Sequence, residues 1–181
     1  RHGVRFNGVN SNLTLSHPKL PRVPYFIAAV YQVSSSVVSG REWIYAGNSA
    51  LQARRVGTAP NVSSGSLILA HSFYGDFVSN TFSSSMTQST VGWVGEYSSS
   101  ANKANKLDFF ENKYLRGGHP GNLTVNFSAN FTSIGVNSTN TMSGSLAELC
   151  VWTASMTASD IVRMFDDYFL PRYPDAGFYV V

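Results

Sequence analysis

Short apolar runs bounded by Gly, Asn, Ser and Pro recur along almost the whole chain, and this pattern constrains the fold more than any other feature. Val4-Arg5-Phe6 precedes the tight-turn pair Asn7-Gly8, and Asn12-Leu13-Thr14-Leu15 alternates at period two. Tyr25 to Val33 (YFIAAVYQV) is apolar enough for a central strand. Glu42 to Ala46, Ser66 to Ala70, Thr90 to Glu96 and Leu107 to Glu111 follow, the last before a Gly117-Gly118 turn. Residues 50–64, with Pro60 inside them, read as irregular. Leu123, Val125 and Phe127 fall on one face of an alternating strand. Thr132 to Val136 and Gly144 to Trp152 complete about ten strands, a number typical of two packed antiparallel sheets. No βαβ spacing appears, which disfavours a parallel, doubly wound sheet.

One helix is expected near the end. Thr157 is a good N-cap, Asp160 completes a capping box, and Met156 with Ile161 makes a hydrophobic staple. Ile161, Phe165 and Tyr168, flanked by Val162 and Phe169, form the stripe that should lie on the sandwich. Asp166-Asp167 should face water, and Pro171 should end the helix. The expected architecture is an all-β, two-sheet antiparallel sandwich over residues 1–181, with one short amphipathic C-terminal helix.

Composition narrows the chemistry. Charged residues are only 13% of 181, while Ser, Thr and Asn number 26, 11 and 14, so polarity is mostly uncharged. This excludes a coiled coil and a charged disordered chain. The net charge is +3, with the basic excess in residues 1–75, but only Arg54-Arg55 are adjacent and no nucleic-acid motif surrounds them. No apolar run is long enough for a membrane span. The chain opens Arg1-His2-Gly3 without Met, which reads as a processed product or a domain cut from something longer. The single cysteine, Cys150, lies mid-strand and reads as an inert thiol. Asn-x-Ser/Thr occurs at Asn12, Asn61, Asn122, Asn126, Asn130 and Asn137; these are glycan acceptors in a secretory setting, or simply the polar face of a sheet.

Two segments carry a resemblance. The opening unit is Val4-Arg5-Phe6-Asn7-Gly8-Val9-Asn10-Ser11-Asn12-Leu13. The closing unit runs Thr132-Ser133-Ile134-Gly135-Val136-Asn137, then Gly144-Ser145-Leu146-Ala147-Glu148-Leu149, Val151-Trp152 and Met156 to Ile161. Together they resemble the laminin-G-like jelly roll of the concanavalin A-like lectin/glucanase superfamily. The resemblance implies a structural role for Glu148, bonding to a loop or strand start; read from the residues alone, Glu148 is either a bonded buried carboxylate, an outward-facing one or a catalytic one. It also implies a possible Ca²⁺ at the sandwich rim, for which Asp76 and Asn80 beside Gly75 are the local candidates.

The glycan-cleaving relatives' Glu-x-Asp-x-Glu pattern is missing, and Asp108 with Glu111 point to opposite faces of a strand, so no enzyme is expected. Glycan binding would use loop aromatics, with Tyr74, Tyr97 and Tyr114 as candidates and Trp43 and Trp93 as core residues. The leading expectation is a non-catalytic, surface-displayed binding or structural module on a virion or in an adhesion protein, extracellular or at a virion surface. It would contact neighbouring subunits, in an oligomer or larger assembly, through its basic N-terminal part and its Phe178-Tyr179-Val180-Val181 tail. The alternative is a carbohydrate-binding, lectin-like module.

Overall fold

The structure is a computed structural model describing residues 3–14, 25–33, 42–47, 55–60, 66–73, 76–85, 89–97, 103–104, 106–119, 123–124, 131–137, 140–174 and 178. In chain order the strands are β1 (Val4–Asn7), β2 (Leu13–Thr14), β3 (Tyr25–Val33), β4 (Glu42–Gly47), β5 (Arg55–Pro60), β6 (Ser66–Phe73), β7 (Asp76–Ser85) and β8 (Thr90–Tyr97). They continue as β9 (Lys103–Ala104), β10 (Lys106–Glu111), β11 (Tyr114–His119), β12 (Leu123–Thr124), β13 (Phe131–Ile134), β14 (Val136–Asn137), β15 (Asn140–Thr141) and β16 (Ser143–Trp152). One six-stranded sheet has the order β1-β16-β3-β8-β10-β11 and the other β2-β13-β4-β5-β6-β7; two small ribbons pair β12 with β9 and β14 with β15. Pairing among the described strands is antiparallel. The chain is an all-β antiparallel sandwich with one C-terminal helix, as the alternating runs predict.

The first sheet is covered on both faces, which is why β3 reads as continuous apolar sequence. Phe26, Ala28 and Val30 face the helix, together with Val91, Trp93 and Phe110. Tyr25, Ile27, Ala29, Tyr31 and Val33 alternate with them, are also buried, and point into the sandwich. Gln32 is the exposed residue of β3. Gly95 pairs with Phe26, and a Cβ there would lie 2.2 Å from the Phe26 ring, so the ring takes the space that a side chain would need.

The helix comprises an α-helical segment (Ala158–Met164), a π turn (Phe165–Phe169) and a last turn (Leu170–Arg172). Thr157 caps it: its hydroxyl accepts from the Asp160 backbone N–H at 3.1 Å, and the Asp160 carboxylate accepts from the Thr157 N–H at 2.8 Å. Ile161, Phe165 and Phe169 are buried against the sheet, each burial contributing roughly 1.5–3 kcal/mol. The buried stripe therefore uses Phe169, while Tyr168 is half-buried and Val162 exposed, because the wider π turn rotates the register.

Several expectations are corrected. Residues 55–60 form β5, a strand inside the second sheet, although Gly57 and Pro60 weaken its local signal; pairing with β4 and β6 decides it. The turn after β10 is Asn112-Lys113, whereas Gly117 and Gly118 lie within β11. Asn112 takes φ 53°, a left-handed conformation that Asn tolerates. Its side chain accepts from Val91 N–H at 3.0 Å, and its carbonyl accepts from the Trp93 indole at 2.6 Å. Pro171 does not end the helix: Leu170 stays helical (φ −61°, ψ −49°), its N–H bonding to Phe165 O. An i→i+5 turn leaves a carbonyl without a donor, and Pro supplies none, so the two irregularities occupy one place. Asp167 is exposed, but Asp166 pairs with Lys113 at 3.0 Å. Phe178 packs against the core cluster, 5.6 Å from the Phe165 ring, so this residue of the tail docks on its own chain. Residues 37–38, 125–130 and 179–181 lie outside the described residues.

Candidate functional site

A bulge in β16 sets where Glu148 goes. Leu146 pairs with Tyr31 and Glu148 with Val30, so Ala147 is the extra residue. Without the bulge Leu146 and Glu148 would share a face. With it, Leu146 follows Tyr31 into the sandwich, and Glu148 follows Val30 to the face under the helix.

There Glu148 meets three residues from the end of the helix. Tyr168 Oη donates to its Oε1 at 2.6 Å, Tyr173 Oη donates to its Oε2 at 2.6 Å, and Arg172 Nε donates to Oε2 at 3.0 Å. Arg172 also lies over the Tyr168 ring, 5.1 Å from its centroid. The carboxylate side chain is 16% exposed and Arg172 36%. Burial alone pushes the Glu148 carboxyl up; the hydrogen bonds from Tyr168 and Tyr173, the Arg172 charge and a weak bond from Cys150 outweigh it and hold it below its ordinary value. The Cys150 thiol is pushed up to about 12 by burial and by Glu148, so it stays protonated at neutral pH. Hydrogen bonding to Tyr173 and the nearby Glu148 raise Arg172 further.

Beside this clasp is a surface cleft of about 220 Å³, lined by Gln32, Ser89, Ser145, Arg172, Tyr173 and Pro174 among others. That is below the roughly 300–1,000 Å³ of pockets for drug-sized ligands, and it suits one small polar unit. Its lining supplies a guanidinium, a phenol ring and two serines.

The other sequence candidates are dispersed. Asp76 and Asn80 lie in β7, with Asp76 paired to Phe73 at the end of the β6–β7 ladder. The side chains of this pair lie outside the described set. Among the described residues no group of three or more His, Cys, Asp or Glu is placed to hold a metal. Asp108 and Glu111 are both buried, on opposite faces of β10; Glu111 accepts from Arg116 Nε at 2.7 Å. Arg116 also lies over the Tyr114 ring, at 5.5 Å, on the edge strand β11. Trp93 is buried in the core. Tyr97 is the last residue of β8 and Trp43 lies in β4, but their side chains are outside the described set, as is all of Tyr74. Asn12 is exposed; Asn137 is in β14; Asn61, Asn122, Asn126 and Asn130 fall outside the described residues. Sequence reasoning singled out Glu148 but missed Arg172 and Tyr173. The signal was a carboxylate in an apolar strand, which if buried demands donors; the last turns of the helix and Tyr173 just after them supply these.

No family model and no curated protein matches the sequence. Solved structures do match. The Ruminococcus gnavus IT-sialidase CBM40 bound to α2,3 sialyllactose has a TM-score of 0.68 at 11% identity, covering 91% of this chain and 97% of that one. Domain 4 of AbnA, a GH43 extracellular arabinanase from Geobacillus stearothermophilus, in complex with arabinotriose, has 0.60 at 10%, covering 88% and 86%. Mouse laminin α1 chain domains LG4-5 have 0.56 at 12%, covering 88% and 43%. The chain shares the β-sandwich fold of these structures. Identities this low show the fold alone and do not single out the laminin-G-like branch. Among the described residues no helix is long and apolar enough to cross a membrane.

Proposed function

We propose that this chain is a single extracellular, non-catalytic recognition module that takes a glycan in the cleft beside Arg172. The observation that carries this reading is the clasp: Glu148 holds Arg172 and Tyr173 in fixed positions at the edge of a sugar-sized polar cleft. A preorganised guanidinium next to a phenol oxygen and serine hydroxyls supplies the directional donors and acceptors that sugar hydroxyls require, while the Tyr173 ring itself packs on the core and against Phe178. The fold supports glycan capture as such, without bearing on which sugar this cleft takes, since two of the similar structures hold sialyllactose or arabinotriose. These likenesses favour glycan capture over a virion-display role, for which no described residue argues.

A glycan array followed by calorimetric titration of hits tests the reading, with wild type and Arg172→Ala compared and a Ca²⁺-chelated control. Wild type should bind in both conditions, and Arg172→Ala should lose at least about tenfold in affinity. Absence of binding to any glycan, or hits that Arg172→Ala leaves unchanged, would overturn it.

A further inference from the structure

The clasp fixes which charge class the cleft accepts. We infer that the ligand unit is an uncharged sugar with neighbouring hydroxyls, and that Glu148, without touching it, is the residue that makes the site reject acidic sugars. This rests on the proposed glycan site and deepens it.

Arg172 enters the cleft with its charge already answered, because its Nε donates to Glu148 Oε2 at 3.0 Å. An anion placed against the guanidinium would also sit near the carboxylate, so its attraction to one is offset by repulsion from the other. Tyr173 points the same way. Its hydroxyl proton is committed to Glu148 at 2.6 Å and its oxygen already accepts from Arg172, so toward a ligand it has no proton to give and only lone-pair density to present. The cleft therefore presents guanidinium N–H donors, phenol oxygen, and the Gln32 amide with the hydroxyls of Ser89 and Ser145, which offer both donors and acceptors. A sugar hydroxyl donates and accepts, and it satisfies both kinds of group. A carboxylate only accepts, so it would set its lone pairs against those of Tyr173. Glu148 acts through Arg172 and Tyr173; it is a positioning and charge-setting residue.

The test uses glycan pairs in which a neutral oligosaccharide is matched with its sialylated or uronic-acid-capped counterpart, lactose against α2,3-sialyllactose among them. Wild type should bind the neutral member at least about tenfold more tightly, with little dependence on ionic strength. Glu148→Gln, which keeps the shape but frees the Arg172 charge, should shrink that ratio about tenfold or invert it, and acid binding should then weaken with salt. Preference of wild type for the acidic member, or an unchanged ratio in a folded Glu148→Gln, overturns the inference while leaving glycan capture standing. Failure to bind any glycan removes both. Should Glu148→Gln not fold, the wild-type ratio and its salt dependence still decide.

Discussion

The phenol of Tyr173 donates a 2.6 Å hydrogen bond to Glu148, tying the residue that follows the helix to the middle of a strand 25 positions earlier. Tyr168 and Arg172 reach the same carboxylate, so one half-buried charge holds the last turns of the helix to the sheet. Because the ionised carboxylate is favoured in the folded state, its contribution has a definite pH sign. It is fully present above the ordinary glutamate value of about 4.3 and is lost as pH falls through the lower folded value. The melting temperature of wild type should exceed that of Glu148→Gln at neutral pH, and the gap should close as pH falls from the ordinary glutamate value through the lower folded one. Thermal unfolding across that range checks it; a constant gap contradicts the clasp.

Thr157 closes a capping box at the other end of the helix. Thr157→Ala removes the acceptor for the Asp160 N–H and should cost about 1 kcal/mol. For a chain of this size that lowers the melting temperature by about 2–4 °C. Thr157→Ser should restore most of it.

Phe26 lies across Gly95 in the neighbouring strand, where a methyl group would meet the ring at 2.2 Å. Gly95→Ala should therefore destabilise by about 1–3 kcal/mol through overpacking, despite alanine's better backbone entropy. Adding Phe26→Leu should recover part of that loss, a non-additivity readable in denaturant midpoints.

Asn112 is 1% exposed, and its side chain supplies the acceptor for Val91 N–H at the end of the β8–β10 ladder. Asn112→Gly keeps the backbone turn but leaves that amide without its acceptor, at a cost of about 1–3 kcal/mol. Asn112→Ala should cost more, since it adds a left-handed alanine. Urea unfolding of both variants orders them; equal stability to wild type would refute the role given to the side chain.

The strands legible in the sequence were those whose side chains declare a face. Tyr25–Val33 reads as central because apolar residues occupy both parities, and the structure buries both. Arg55–Pro60 and Asp76–Ser85 carry Gly, Pro or polar Ser/Asn instead, so only pairing with neighbours distant in sequence makes them strands. The turn before Tyr114 was misplaced for a related reason. Gly117-Gly118 is the stronger local turn signal, but Asn112 has Val91 and Trp93 as hydrogen-bond partners, and those lie on another strand.

The candidate site divides along the same line. That Glu148 would need partners if it turned inward was readable from one carboxylate inside an apolar run, because desolvating a charge demands compensation. Which partners it found was not readable, because the bulge at Ala147 chooses its face and the π turn sets the rotation of the last helical turns. Alternating apolar residues by themselves determined two sheets and one helix, since local periodicity decides which face of each element is greasy. Tertiary packing alone decided that Arg172 and Tyr173 converge beside that carboxylate, since their meeting depends on the register between elements that local sequence does not encode.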